Sequence, residues 1–376
     1  MSKTHIFIIW NRTMDKKNII INEIEKKFTI REIFQIKWNK NDFLKNIKRF
    51  YGKKLPKPEQ KAKECGNGEF LVIFVNDEKP QIEITRIDDV NQTEINSRVF
   101  NAKQEYRKII GGGFQIHASN SDEETEHDVA LLFGKTIKNF EKELPKQWNK
   151  KIKDLGEMEL VGNKKWKNFE EFFEILNSTT NYVVLRNYED IPEKLEIKDL
   201  DIITDDIKNF SEIINLNDPS TDSPIIINDK KIQIDFRYQI GHHYDETWGK
   251  KILENKILYN NLFYIPSKED YFYSLFYHNL KKESKKYNEK LLKLGEDLGI
   301  EIDLKEIIND EQKSKEFISK YMAVNKLKDT NSISRTIYKF KKNELTRLIK
   351  TGFFLINNYG FYFFIKKMIL KIKNMT

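Results

Sequence analysis

Two aspartates two residues apart, Asp199 and Asp201, stand in the apolar run Lys198-Asp199-Leu200-Asp201-Ile202-Ile203. Alternate side chains of a strand share a face, so this spacing sets two carboxylates side by side while Leu200 and Ile202 turn to a core. Carboxylates that close repel each other unless a positive charge lies between them. A divalent cation carrying nucleotide phosphates meets that need, and Mg2+ or Mn2+ takes such oxygen ligands. A third carboxylate, Asp235, lies between Ile234 and Phe236 in a later apolar stretch. Upstream, the apolar run 182–186 ends at Arg186-Asn187, where the arginine can neutralise a phosphate and the asparagine can hydrogen-bond one.

Other residues could serve the same chemistry. Arg237, His242 and His243 follow the third aspartate, and His278 and Lys281 lie on a helix over 269–282; all five are candidate substrate contacts. Earlier, His117 precedes a helix opened by Ser121, with Glu124 completing a capping box. A side chain just before a helix start faces unpaired backbone N–H groups, which suit an anion. Gly111-Gly112-Gly113 lets a backbone approach closely. Arg107, Gly112, Gly113, Ser119 and Asn120 are therefore candidate phosphate contacts around His117.

The elements that must position these groups follow from periodicity. Residues 5–10 (HIFIIW) and 69–75 (EFLVIFV) read as buried strands, 29–38 as an alternating strand, 15–28 and 41–51 as helices, and 52–68 as a loop. Residues 81–86 form a strand able to pair with 69–75, and the His117 helix runs to Phe133. This order predicts an α+β domain over 1–135. Residues 136–165 are charged and weakly periodic and read as a linker. A second domain follows over 166–265: a helix at 167–177, strands at 182–186 and 199–204, a helix at 205–216, and a hairpin of 225–228 with 231–238 across Asp229-Lys230. A helical subdomain spans 266–334, and a basic amphipathic tail 335–376.

Two resemblances attach to these residues. The run ending Leu185-Arg186-Asn187, the Asp199-Leu200-Asp201-Ile202 strand and Ile234-Asp235-Phe236 together resemble the nucleotidyltransferase superfamily related to DNA polymerase beta, in the neighbourhood of the LicD and fukutin-like transferases. That resemblance implies a mixed sheet with a helical C-terminal part. It also implies metal ligation by Asp199, Asp201 and Asp235, with Asp235 helping to activate the attacking hydroxyl. The segment from Phe114 through His117, Asp128 and Phe133 resembles, distantly, the active-site segment of nucleoside diphosphate kinases. It implies a ferredoxin-like N-terminal domain and a His117 that is phosphorylated or sits beside phosphate.

Composition narrows the setting. A 39% hydrophobic content with 26 Phe and 16 Tyr excludes global disorder. The single cysteine, Cys65, excludes an intrachain disulfide and a cysteine-cluster metal site, which suits the cytoplasm. The net charge of +8 is concentrated: residues 335–376 carry ten Lys or Arg and one acid, Glu344, leaving the remainder near neutrality. No broad basic groove for DNA is expected. The apolar run 351–365 is too short to span a bilayer, so the tail is expected to lie on an anionic membrane surface at the inner face.

These readings converge on a metal-dependent nucleotidyl- or phospho-alditol transferase of surface glycan (capsule or lipopolysaccharide) biosynthesis. Its donor is a nucleotide or nucleotide-activated group and its acceptor a glycan or lipid-linked glycan, with His117 assisting. Asp201→Asn is expected to abolish turnover and leave folding intact. The rival readings are a catalytically inactive nucleotide-binding scaffold and an RNA-modifying or toxin nucleotidyltransferase.

Overall fold

The computed structural model describes residues 2–52, 57–86, 92–192, 199–216, 224–237, 244, 246–282 and 285–327. The protein is α+β, and the chain divides into two compact units. The first holds Met1–Thr179 with Glu212–Asn215; the second holds Thr180–Ser211 and the residues from Leu216 onward.

The first unit runs β1 (Lys3–Ile9), a 3-10 turn (Asn11–Lys16), α1 (Lys17–Glu25), β2 (Thr29–Lys37), α2 (Phe43–Tyr51), α3 (Pro58–Cys65) and β3 (Glu69–Asp77). It continues β4 (Ile82–Arg86), β5 (Gln92–Asn96), α4 (Ser97–Ile109), β6 (Ile116–Ala118), α5 (Asp122–Phe133), α6 (Ile137–Phe140), β7 (Lys153–Glu157) and α7 (Phe169–Thr179). The main sheet has the order β6-β1-β3-β2-β7. Within it β1 is antiparallel to β3 and β6, and β2 is antiparallel to β3. With β1, β2, β3 and β6 counted as first to fourth, the order is 4-1-3-2, the ferredoxin-like arrangement expected.

The apolar runs of β1 and β3 are continuous because both faces of the sheet are covered. Phe7, Ile9, Leu71, Ile73 and Val75 pack with Ile20 and Ile24 of α1 and with Val99, Ala102 and Tyr106 of α4. On the opposite face Phe74 and Phe34 meet Phe133 and Phe140, whose rings stack at 4.5 Å. Each fully buried Ile, Leu, Val or Phe among them contributes on the order of 1.5–3 kcal/mol. The α5 cap forms as expected: Ser121 accepts from the Glu124 N–H at 3.1 Å, and Glu124 returns to accept from the Asn120 N–H at 2.7 Å. Gly134 ends the helix at a left-handed φ of 67°.

Three expectations are corrected in this unit. The presumed loop 52–68 contains α3, opened by Pro58 where a missing N–H costs nothing. Strand β4 pairs with β5 in a separate ribbon instead of joining β3. Residues 136–165 are no linker: they supply α6 and β7, which extends the sheet parallel to β2, and the unit ends at Thr179. Strand β7 is solvent-exposed throughout, so it offers no apolar alternation to read.

The second unit runs β8 (Tyr182–Val184), β9 (Asp199–Thr204), α8 (Ile207–Ile213, whose last two residues belong to the first unit), β10 (Ile225–Ile227), β11 (Lys230–Phe236), α9 (Glu246–Glu254), β12 (Ile257–Tyr259) and β13 (Phe263–Ile265). Helices α10 (Lys268–Lys281), α11 (Asn288–Asp297), α12 (Leu304–Asn309) and α13 (Glu311–Val324) follow. The mixed sheet has the order β10-β11-β9-β8, with β9 parallel to β11 and antiparallel to β8. The hairpin turns one residue earlier than expected, at Asn228 and Asp229, both left-handed (φ 48° and 60°) as a tight hairpin requires. Phe272, Leu275 and Phe276 of α10 are buried. Among the described residues no helix is long and apolar enough to cross a membrane. The tail 335–376, with its expected membrane contact, lies outside the described residues.

Candidate functional site

In the second unit the sequence pattern places both carboxylate strands in the middle of the sheet. The parallel ladder of β9 and β11 sets Asp235 opposite Asp201. Leu200, Ile202 and Ile203 are fully buried, and Asp201 is nearly so at 3% exposure; Asp199 is half-buried. Asp201 has therefore left water and must be compensated.

Two arginines compensate it. Arg186 grips Asp201 in a two-pronged pair, Nε to Oδ2 at 2.6 Å and Nη2 to Oδ1 at 2.9 Å. The Arg237 Nη2 bridges two carboxylates, at 2.5 Å from Asp201 Oδ1 and 2.8 Å from Asp235 Oδ2, and its Nε adds 2.6 Å to Asp201 Oδ1. Burial is the largest single effect and opposes the Arg186 charge, but Asp201, Tyr244 and Tyr287 together outweigh it and hold the guanidinium above its ordinary pKa. Asp199 has no hydrogen-bond partner among the described residues. Burial, then Asp201 and Asp235, push its carboxyl above the ordinary carboxylate value.

Asn187 adopts a left-handed φ of 58°, the turn conformation an asparagine tolerates better than most residues. Three aromatic or imidazole groups that sequence reasoning missed or placed loosely close on this cluster. Arg186 also donates to the Tyr244 hydroxyl, which itself donates to the Ser274 carbonyl at 3.3 Å. Burial, followed by the positive charges of Arg186 and Arg237, lowers the His278 pKa to about 4, so this ring is neutral at neutral pH. Its ring meets Tyr287 edge-on at 5.9 Å. The Lys281 ammonium lies 5.5 Å over the Tyr277 ring. His242 and His243 lie outside the described residues. Nothing local in the sequence marks Tyr244 or Tyr287, which reach the cluster through tertiary packing.

Three carboxylates are the hard-oxygen donor set that Mg2+ or Mn2+ takes, so the chemistry of the set fits such an ion. As the side chains stand, no three His, Cys, Asp or Glu residues among the described ones are grouped to hold a metal. A guanidinium nitrogen bridges Asp201 and Asp235 instead.

The first unit presents a different cluster. His117 sits in the middle of the edge strand β6, buried, with Phe50 and Tyr51 edge-on to its ring at 5.6 and 5.4 Å. Its Nε2 lies 2.7 Å from Asp128 Oδ2. The carboxylate accepts from Nε2–H, which leaves the lone pair on Nδ1. Among the described residues Nδ1 has no hydrogen-bond partner. Burial is the main cause that lowers the His117 pKa, to about 4, and Asp128 opposes it.

Among the described residues strand β6 pairs with β1 on one side only. The carbonyls on its other side, of Phe114, Ile116 and Ala118, are taken by cations from α3 and α4. Lys61 donates to Phe114, Arg107 donates twice to Ile116 at 3.0 and 2.9 Å, and Lys103 donates to Ala118 at 3.4 Å and to Asn120 Oδ1 at 2.8 Å. Burial lowers the pKa of all three, that of Lys103 to about 8. Phe114 is exposed, with the Arg107 guanidinium 5.1 Å over its ring.

The remaining expected phosphate contacts divide. Gly112 and Gly113 are exposed with left-handed φ of 95° and 85°, and a Cβ on Gly112 would meet open space. Ser119 is fully buried, its hydroxyl accepting from the Ile6 N–H and from Thr125, so it holds the strand in place. His127 is half-buried and lies 3.1 Å from Asp128 Oδ1. Asp128 itself carried a readable signal. It falls on the same helical stripe as Thr125, Val129 and Leu132, and an acid on an apolar stripe needs a partner.

No protein-family model matches the chain, and no curated protein matches it. Among solved structures, an orthorhombic crystal form of the Aquifex aeolicus nucleoside diphosphate kinase is similar at 14% identity and a TM-score of 0.25, over 35% of this chain and 94% of that one.

Proposed function

We propose that the second unit is a metal-dependent transferase of nucleotidyl or phospho-alditol groups, with Asp199, Asp201 and Asp235 as its reaction centre. The observation that carries this reading is the parallel register of Asp235 with Asp201, which gathers three carboxylates from two adjacent strands around two arginines. Asp199, Asp201 and Asp235 would hold Mg2+ or Mn2+, which supplies charge neutralisation at the donor phosphates and acidifies the attacking hydroxyl. Arg186 orients Asp201, and Arg237 lies where it can pair with a phosphate. The neutral His278 ring can accept a hydrogen bond from the acceptor hydroxyl and fix its position. The acceptor we assign is a hydroxyl of a glycan or lipid-linked glycan, handled at the cytoplasmic side of a membrane; this rests on the likeness to LicD and fukutin-like transferases.

The buried Arg186–Asp201 pair changes the choice of test. Asp201→Asn would leave two guanidiniums under-compensated, so lost turnover in that variant would report on folding as well as chemistry. Asp199→Asn, at a half-buried position without a partner among the described residues, is the cleaner probe. With Mn2+ and nucleotide or CDP-alditol donors, release of the nucleotide product is expected to fall by at least about 100-fold in Asp199→Asn at unchanged thermal stability. Turnover retained in that variant overturns the reading.

A second reading concerns the first unit and rests on the Asp128–His117 pair. Its tautomer presents an Nδ1 lone pair among buried cations, an arrangement suited to accept or bind a phosphoryl group. Incubation with radiolabelled ATP is expected to give an acid-labile, alkali-stable label that is absent in His117→Asn. No label in the wild-type chain removes phosphohistidine chemistry.

A further inference from the structure

We propose that Arg237 is an exchangeable counter-ion: its guanidinium competes with a divalent cation for Asp201 and Asp235, and moves to the donor phosphate when the cation binds. This rests on the reading of the three aspartates as a metal centre. The geometry separates the two arginines. Arg186 is 5% exposed, matches both oxygens of Asp201 and is tied to Tyr244 as well. It is built in. Arg237 is 20% exposed and stands one residue beyond the end of β11, held by the backbone bond from its N–H to the Ile202 carbonyl at 2.7 Å. Its side chain can swing without breaking the sheet.

The position of its Nη2 is the second argument. A single nitrogen lies 2.5 and 2.8 Å from oxygens of two different carboxylates, the bridging place a shared cation takes. Asp235 Oδ1 and both Asp199 oxygens remain without hydrogen-bond partners among the described residues, so the set is short of positive charge even with Arg237 in place. Among the described residues three carboxylates face two guanidiniums, a net charge of −1. A dication that replaces Arg237 at the carboxylates leaves a free guanidinium beside the ion, and both then face a phosphate. Arg237 is a donor-binding residue on this account. It keeps the empty site neutralised and couples metal binding to donor binding.

The test measures metal binding directly. Mn2+ is titrated into the full chain by electron paramagnetic resonance, with and without inorganic pyrophosphate, for wild type and Arg237→Gln. Removing the competitor is expected to tighten Mn2+ binding about tenfold, the effect of one modest charge interaction. Pyrophosphate is expected to tighten Mn2+ binding in wild type and to do so at least about fivefold less in Arg237→Gln, because the coupling is lost. Equal or weaker Mn2+ binding in Arg237→Gln, beside Asp199-dependent binding in wild type, overturns the exchange and leaves the metal centre standing. No Mn2+ binding at millimolar concentration in either protein overturns the metal centre itself, and the exchange with it. Should Arg237→Gln fail to fold, Arg237→Lys serves. It keeps one cation without the bridging fork, and binding tighter than wild type supports the exchange, while unchanged binding opposes it.

Discussion

The two clusters are built from the same ingredients with opposite outcomes. In the first unit three cations, the buried Lys61 and Lys103 and the half-buried Arg107, donate to backbone carbonyls of the His117 strand. A carbonyl satisfies the hydrogen bonds of a cation but cancels none of its charge, and the acids that offset these three, Asp128, Glu124 and Glu64, act on them without being their hydrogen-bond acceptors here. In the second unit both arginines face carboxylates, and the cluster stays short of positive charge. The number of charged groups does not tell the sites apart. What separates them is whether each cation meets a dipole or a full negative charge.

The contrast can be broken most severely at Asp201. Asp201→Ala strands Arg186, whose guanidinium is buried, and unfolding in urea is expected to show a loss of roughly 3–5 kcal/mol. A loss under 1 kcal/mol would mean that water reaches Arg186 and that the site is more open than described. The next effect is at Asp128. Asp128→Asn removes the acceptor charge from a buried hydrogen bond and is expected to cost roughly 1.5–3 kcal/mol, with the nitrogen chemical shifts of His117 reporting a mixed tautomer. A single retained tautomer would show that some other group orients the ring.

The pH dependence sharpens the same point. The unfolded chain protonates His117 near 6.5, whereas the folded protein resists until about pH 4. The folded pKa is depressed, so the contribution is fully present above pH 6.5 and declines as pH falls toward 4. Each such histidine adds a slope of at most about 1.4 kcal/mol per pH unit within that window. His278, also lowered to about 4, acts in the same direction. Urea midpoints between pH 7 and 4.5 are expected to fall, less steeply in His117→Asn. The smallest change is Lys103→Met, which deprives the Ala118 carbonyl and Asn120 of a donor and is expected to cost about 1 kcal/mol. A gain in stability there would show that burying the charge outweighs the hydrogen bonds it makes.

Much of the fold was legible because it rests on local pattern. The apolar runs of β1 and β3, the capped start of α5 and the alternation around Asp199, Asp201 and Asp235 each signal their element within a few residues. Strand β7 escaped because Lys153–Glu157 is polar on both faces, and α3 because its exposed, proline-flanked sequence lacks a clear apolar face. The aspartates were readable as a set, but their counter-ions were not. Arg186 precedes Asp201 by fifteen residues and Arg237 follows it by thirty-six, and only the sheet register brings these charges to one carboxylate. The same holds for Lys61, which reaches the His117 segment across fifty-three residues.

The cations along β6 have one more consequence. That strand is a border of the sheet, and a border with unpaired carbonyls is a template on which a strand from another molecule can grow. Lys61, Arg107 and Lys103 occupy those carbonyls at every second residue, from Phe114 to Ala118. A strand arriving at this border would therefore find its carbonyl acceptors already taken and would have to displace three cations to pair there.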